Sequence, residues 1–375
     1  MKKLLIVTTI PETLDFFLPL TKHLRGQGWQ VDAMAKELST SKEYSQLFDR
    51  VWDVEWSRNP LEPKNLITAP AQVRQAFLQE QYDLVNVSTP VAAFVTRYAL
   101  NNWRKQGKVK VIYTAQGFHF YEGGAPHKNA IFLGLEKIAG PWTDYLVVVN
   151  RQDEAAAKRY GLIAAERVHY IPGTGLNIDR FNPHAISEAE IMRVRQELGL
   201  APENSVFLSV AEFIPRKRPW DILKALAQLE RPQVHLAFAG HGRILQEMQQ
   251  LASELGIQKQ VHFLGLRRDI PVLMRASVAT LIASDQEGLP NCVMESLCME
   301  VPVIGTEIRG TRDLLVEGNG LLVKLGDVKG MAKAMEWILD NPEDAKQMGK
   351  QAREKMIAYS VPEILKQYEA LYQEV

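Results

Sequence analysis

Two carboxylates, Glu287 and Glu295, stand eight positions apart in Ala283-Ser-Asp-Gln-Glu287-Gly288-Leu289-Pro290-Asn291-Cys-Val-Met-Glu295-Ser296. Such spacing arises by chance in any acidic chain, so the pair takes its meaning from its surroundings. Val278-Ala-Thr-Leu-Ile-Ala283 reads as a buried strand, Gly288 permits a turn with positive φ, and Pro290 suits the first position of a helix running to about Met299. Glu287 then sits in a strand-to-helix turn and Glu295 about a turn and a half into the helix. The free N–H groups at such a terminus favour an anion. Amides for a phosphate and carboxylates for hydroxyls together suit a phosphorylated polyol.

Other strand ends carry further candidates. Val206–Val210 leads into Ala211-Glu212-Phe213-Ile214-Pro215-Arg216-Lys217-Arg218, three consecutive bases before a helix. They either hold a diphosphate at short range or form a solvated basic turn. Val234–Ala239 runs into Gly240-His241-Gly242, where glycine lets a ligand approach the backbone. In the first half, Val111–Thr114 leads to Ala115-Gln116-Gly117-Phe118-His119-Phe120-Tyr121, placing a histidine among aromatics just beyond a strand end. Its imidazole can orient a ligand as hydrogen-bond donor or acceptor. No Asp or Glu occurs from Leu84 to Tyr121, whereas Arg97, Trp103, Arg104, Lys105, Lys108 and Lys110 do. A basic helix end with an aromatic suits an anionic bilayer surface or a diphosphate lipid, and equally a solvated helix face.

The elements that position these residues follow from the pattern of apolar runs. Strands are expected at 3–9, 30–35, 83–87, 109–114 and 144–149, then at 205–210, 234–239, 260–263, 278–283, 301–304 and 320–323. Helical periodicity is expected at 14–26, 89–105, 127–140, 219–229, 242–255 and 327–339, with a polar helix at 187–198. Alternation of this kind predicts parallel sheets with right-handed crossovers. The turn-rich stretch Ile171–Pro183 interrupts the series, predicting two doubly wound, Rossmann-like domains with ligands at the carboxyl ends of their strands. The expected boundaries are 1–181 and 182–359, with a last amphipathic helix in 360–375.

At 375 residues, two domains are expected on size alone. With 44 basic and 44 acidic residues, the overall charge gives no reason to expect nucleic acid as a partner. The two cysteines, Cys292 and Cys298, predict neither a disulfide framework nor a zinc site. The opening Met1-Lys-Lys-Leu-Leu-Ile-Val-Thr-Thr9 reads as a first strand, since its apolar run is too short for a signal peptide. The location expected is cytoplasmic, either free or peripheral on the inner face of the plasma membrane.

The strand, the Gly-Leu-Pro-Asn turn and the following Val301-Pro-Val-Ile304 strand together resemble the donor site of the GT4 family of retaining glycosyltransferases, which has the GT-B fold. The resemblance extends over nearly the whole chain and points to the exopolysaccharide, capsule and lipid-linked glycan branch. It implies transfer of a hexose or N-acetylhexosamine from a nucleoside diphosphate sugar, most naturally UDP-linked, to a glycan or undecaprenyl-diphosphate-type acceptor. No Asp-x-Asp pair with metal-like placement appears, so no metal is expected, and no cofactor beyond the donor itself. Within that likeness Glu295 would accept hydrogen bonds from the ribose, Glu287 would contact the donor hexose, and the backbone of Gly288, Leu289, Pro290 and Asn291, with the amides of that stretch, would meet sugar and phosphate. Lys217 matches the family's phosphate-binding lysine, while Glu212 stands where an arginine is usual, leaving Arg216 or Arg218 to supply the second charge. Backbone groups around Leu266 and Arg267 would read the base, although Arg267 equally suits a surface pair with Asp269. His119 matches the histidine that faces the donor sugar. The region Gly305–Asp313 and Glu317–Gly320 looks like supporting architecture. Thr8-Thr9-Ile10-Pro11 replaces a Gly-Gly pair on the acceptor side, and the last helix would cross back onto the first domain. Two alternatives are a sugar-nucleotide epimerase of the same architecture and a non-catalytic nucleotide-sugar-binding partner.

Overall fold

The computed structural model describes residues 1–57, 62–316 and 318–374. Glu317 therefore lies outside the described residues. The chain divides into two units, Met1–Gly175 with Val361–Val375, and Leu176–Ser360, so it changes unit after Gly175 and not at 181.

Among its described residues the first unit holds seven parallel strands: β1 Lys3–Val7, β2 Gln30–Ala35, β3 Val51–Asp53, β4 Leu84–Ser88, β5 Lys110–Ala115, β6 Tyr145–Val148 and β7 Val168–Tyr170. Their order is β3-β2-β1-β4-β5-β6-β7. The described residues of the second hold six, β8 Ser205–Val210, β9 Val234–Ala239, β10 Val261–Phe263, β11 Ala279–Ile282, β12 Val303–Thr306 and β13 Leu321–Val323, in the order β10-β9-β8-β11-β12-β13. Leu4, Leu5, Ile6 and Val7 are fully buried, as strands covered on both faces must be. In each sheet the order reverses between the first and fourth strands of the unit, and at such a point a crevice opens beyond the strand ends.

Every strand expected from the sequence is present, with β12 displaced two residues toward the C-terminus. The three-residue β3 and β7 were too short to announce themselves. The helices Thr68–Glu80, Arg151–Arg159 and Pro342–Met356 were also not anticipated. Thr68–Glu80 buries a helical stripe built largely of Ala69, Ala76 and Val73, small residues with little hydropathic contrast, and the other two are charged on most faces. The polar helix is present as Glu188–Glu197, opened by a capping box in which Ser187 and Glu190 satisfy each other's backbone amides.

The last helix, Val361–Glu374, belongs to the first unit. It buries Ile364, Tyr368, Leu371 and Tyr372 against Leu4, Ile6, Leu14 and Phe17. Asn86 Nδ2 donates to the Tyr372 hydroxyl at 2.7 Å, tying the helix to β4. Among the described residues, no helix is long and apolar enough to cross a membrane.

Candidate active site

In the second unit the charged residues gather where β8 and β11 lie side by side. Pro215–Lys217 forms a 3-10 turn after β8, and Arg218 takes a left-handed φ of 47° before the helix Pro219–Leu229. From this turn Lys217 Nζ reaches Glu287 Oε1 at 2.5 Å, and the Arg216 guanidinium lies 3.3 Å from Oε2. Arg216 also donates to the Gln286 carbonyl, while its own carbonyl accepts from the Asp285 amide at 2.9 Å. The two strand-end segments are thus stitched together by backbone and side chain. Glu287 is 8% exposed. Burial works to raise its pKa, but the charges of Lys217 and Arg216 prevail and hold it below the ordinary value.

The turn is closed from a third side. Buried Arg309 donates through Nε to the Glu287 carbonyl at 3.0 Å. Gly310 has φ +74°, and a Cβ there would fall 2.2 Å from the Gly288 carbonyl oxygen, so no other residue fits without moving the turn. Gly288 itself is not among the residues with positive φ, contrary to expectation; the left-handed glycine is Gly310, pressed against it.

Pro290 caps the next helix, Asn291–Cys298, one position before its expected place. No side chain caps this terminus, and the N–H groups of Asn291 and Cys292 have no hydrogen-bond partner among the described residues. Leu289 packs against the apolar core of the unit. Glu295, further along the helix, is partly buried, and its carboxyl hydrogen-bonds to no described residue. Burial pushes its carboxyl up to about 7 against the pull of Arg180. The result is one paired carboxylate, one unpaired carboxylate and a helix terminus with open amides.

Other candidates of this unit are engaged by the protein itself. Arg218 Nε donates to Asp221 at 2.7 Å. Arg267 donates to Asp269 at 2.7 Å and pairs with Glu197, so its side chain takes the surface-pair arrangement, beside a highly exposed Leu266. At Gly240 the close neighbour is the protein's own backbone, since a Cβ would fall 1.9 Å from the Ala211 carbonyl oxygen.

In the first unit the equivalent position lies between β1 and β4. Thr9 follows β1 and Thr89 follows β4; the Thr9 amide donates to Thr89 Oγ1 at 3.0 Å and their hydroxyls are 2.6 Å apart. Trp56 Nε1 donates to the Thr9 carbonyl at 2.9 Å. Thr89 has φ +71°, a conformation that strains a β-branched residue by about 1–3 kcal/mol and clusters at functional sites. Both threonines line a cavity of about 610 Å³ together with Ile10, Phe94, His119, Phe132, Leu135 and Glu136. The His119 ring lies 5.0 Å from that of Phe132. Its loop is anchored by Asp153, 1% exposed, whose Oδ2 accepts from the Phe118 amide and from Asn150 Nδ2, each at 2.9 Å. Glu136, Thr89 and Asp153 escaped the sequence reading because each lies outside any motif.

The basic surface expected around Arg97, Trp103, Arg104 and Lys105 needs correction. Arg97 is 2% exposed, donates to Glu136 Oε2 at 2.9 Å and the Ala93 carbonyl at 3.0 Å, and lies 4.2 Å over the Tyr113 ring. Trp103 packs on Phe77, with ring centroids 5.0 Å apart, and Arg104 pairs with Asp144 at 2.9 Å. Of the four, Lys105 is the one left exposed. The segment looked unpaired because its acids arrive from about 40 residues further along the chain.

Residues 190–355 match the family of glycosyl transferases group 1, and residues 16–174 match the glycosyl transferase 4-like domain. EpsD of Bacillus subtilis (strain 168), assigned as a glycosyltransferase, is 32% identical over 99% of this chain and 96% of its own. An Escherichia coli enzyme named UDP-Gal:alpha-D-GlcNAc-diphosphoundecaprenol alpha-1,3-galactosyltransferase is 24% identical over 70% of this chain and 68% of its own. The crystal structure of Anabaena HepE with UDP-glucose superposes with a TM-score of 0.83 over the full length of both chains at 21% identity. The chain belongs to the GT4-type glycosyltransferases and has their GT-B fold.

Proposed function

We propose that this glycosyltransferase moves a hexose or N-acetylhexosamine from a UDP-linked donor to a glycan or lipid-linked saccharide, in the synthesis of cell-surface polysaccharide. The observation that carries the reading is the Lys217–Glu287–Arg216 cluster set beside an uncapped helix terminus at the β8/β11 reversal. The bond between the anomeric carbon and the diphosphate oxygen breaks, one forms to the acceptor oxygen, and the acceptor proton leaves with the nucleoside diphosphate. The charge on that leaving group is met by Lys217, Arg216 and the amides of Asn291 and Cys292. An ammonium has three N–H donors, so Lys217 can hold Glu287 and a phosphate oxygen together. Glu287 contacts the hexose and Glu295 accepts from the ribose hydroxyls. His119 orients the reacting sugar. We further propose that configuration is retained and that no metal is required. UDP and UDP-glucose in the Anabaena structures support the nucleotide, and the Escherichia coli relative's name supports a diphosphoundecaprenol-linked acceptor.

The test is incubation with a panel of UDP-, GDP- and ADP-sugars and a synthetic prenyl-diphosphate monosaccharide, in buffer with and without EDTA, followed by mass spectrometry and NMR. The expected product is the acceptor extended by one sugar from a UDP donor, in the donor's anomeric configuration and in equal yield with EDTA. Transfer from a GDP- or ADP-sugar alone, inversion, or loss of activity in EDTA would each remove the corresponding part of the reading.

A further inference from the structure

The cavity beside Thr9 and Thr89 is walled mainly by carbon, with Phe94, Phe132 and Leu135 among its lining. No lysine or arginine lines it among the described residues. Its acidic group is Glu136, whose carboxylate is fixed by Arg97 at Oε2 (2.9 Å) and by the Tyr113 hydroxyl at Oε1 (3.1 Å). The Glu136 side chain remains 13% exposed. A carboxylate offers about four lone-pair sites, so two are left for a ligand hydroxyl. A phosphate entering here would give up its water against apolar walls and find no free cation among the described residues, since the Arg97 charge is already matched by Glu136. Cavities of this size that are apolar with a few placed polar groups suit small amphipathic ligands.

We propose that this cavity seats the terminal sugar of the acceptor and selects an uncharged one bearing apolar substituents, such as an acetamido methyl or a deoxy position, with Glu136 accepting from one of its hydroxyls. The inference rests on the glycosyltransferase reading above and narrows its second substrate. The diphosphate of a lipid-linked acceptor stays outside the cavity.

The experiment is calorimetric titration of the full chain with p-nitrophenyl N-acetyl-β-D-glucosaminide and with its 6-phosphate, UDP being titrated separately as a readout of the other unit. The neutral glycoside is expected to saturate, and the phosphate to bind at least about tenfold more weakly. Leu135→Glu abolishes glycoside binding, and Glu136→Gln weakens it about tenfold, the usual worth of a hydrogen bond to a charged group. UDP affinity stays unchanged in both. The wild-type comparison of the two probes needs no variant, so it holds even if Glu136→Gln folds poorly with Arg97 half paired. Equal or tighter binding of the phosphate overturns the proposal, as does a wild type that binds UDP but shows no saturable glycoside binding. Glycoside binding without UDP binding counts instead against the donor-site reading.

Discussion

Both units reverse strand order after their first strand, and in both the segments leaving the two flanking strands meet. In Leu176–Ser360 they meet as Lys217 and Arg216 on Glu287, an ionic cluster beside an uncapped helix terminus. In Met1–Gly175 they meet as Thr9 and Thr89, two neutral hydroxyls at the wall of an apolar cavity. The same winding therefore fixes where a ligand sits, and the loops decide its chemistry. A charged leaving group suits the first arrangement, and a neutral polyol with apolar edges suits the second.

The contrast breaks most readily at Lys217. Lys217→Ala is expected to lower the rate of transfer about 100- to 1000-fold, the usual effect of removing one donor that stabilises developing charge. The loss should appear in kcat with donor and saturating acceptor, and glycoside binding in the first unit should not change. If transfer falls less than tenfold, the ionic cluster is structural. In the first unit the corresponding large effect is on stability. Arg97→Met leaves Glu136 without its ion-pair partner and should cost about 3–5 kcal/mol, whereas Lys105→Met, on the exposed end of the same helix, should stay within about 0.5 kcal/mol. Denaturant melts of the two variants compare them directly. Equal effects would contradict the buried assignment of Arg97 and restore the surface reading.

A smaller effect sharpens the difference between the sheets at their edges. His235 Nδ1 and His262 Nε2 lie 3.0 Å apart on β9 and β10, and burial depresses the pKa of both. The unfolded chain then binds more protons, so stability rises with pH up to the ordinary histidine value and is lost as pH falls below it. His262→Gln should flatten that acid limb by a shift on the order of 1–2 °C in Tm, read from melts across the range. An unchanged acid limb would mean that other groups set it.

The sequence conveyed the second unit better than the first, for reasons visible in particular residues. The Glu287–Glu295 turn, the Arg216-Lys217-Arg218 run and the strands around them are contiguous, so their chemistry is legible from local order. The Arg97–Glu136 and Arg104–Asp144 pairs join residues about 40 positions apart, and no local pattern reveals them. The strained Thr89 is likewise silent, since a threonine before a proline carries no sign of φ +71°. Gly288 was read as the left-handed residue because it occupies the turn, but Gly310 approaches it from another loop. Short strands and small-residue helices lacked the hydropathic contrast that periodicity requires.

Glu295 links the account to one measurement. Its carboxyl is pushed up to about 7, above the ordinary 4.5, so the free protein holds this proton near neutrality and loses stability as pH rises through that interval. If ribose hydroxyls donate to the carboxylate form, as proposed, nucleotide binding expels the proton and strengthens with pH. Calorimetric titration of UDP-glucose, whose diphosphate is esterified at both ends and has no group titrating in this range, into wild type and Glu295→Gln at about pH 6 and about pH 8, in buffers of different ionisation enthalpy, reads both quantities. The account predicts wild-type affinity up to about tenfold weaker at the lower pH with proton release, and a weaker, pH-independent affinity in the variant. A wild-type affinity that is flat with pH and matched by Glu295→Gln would contradict it.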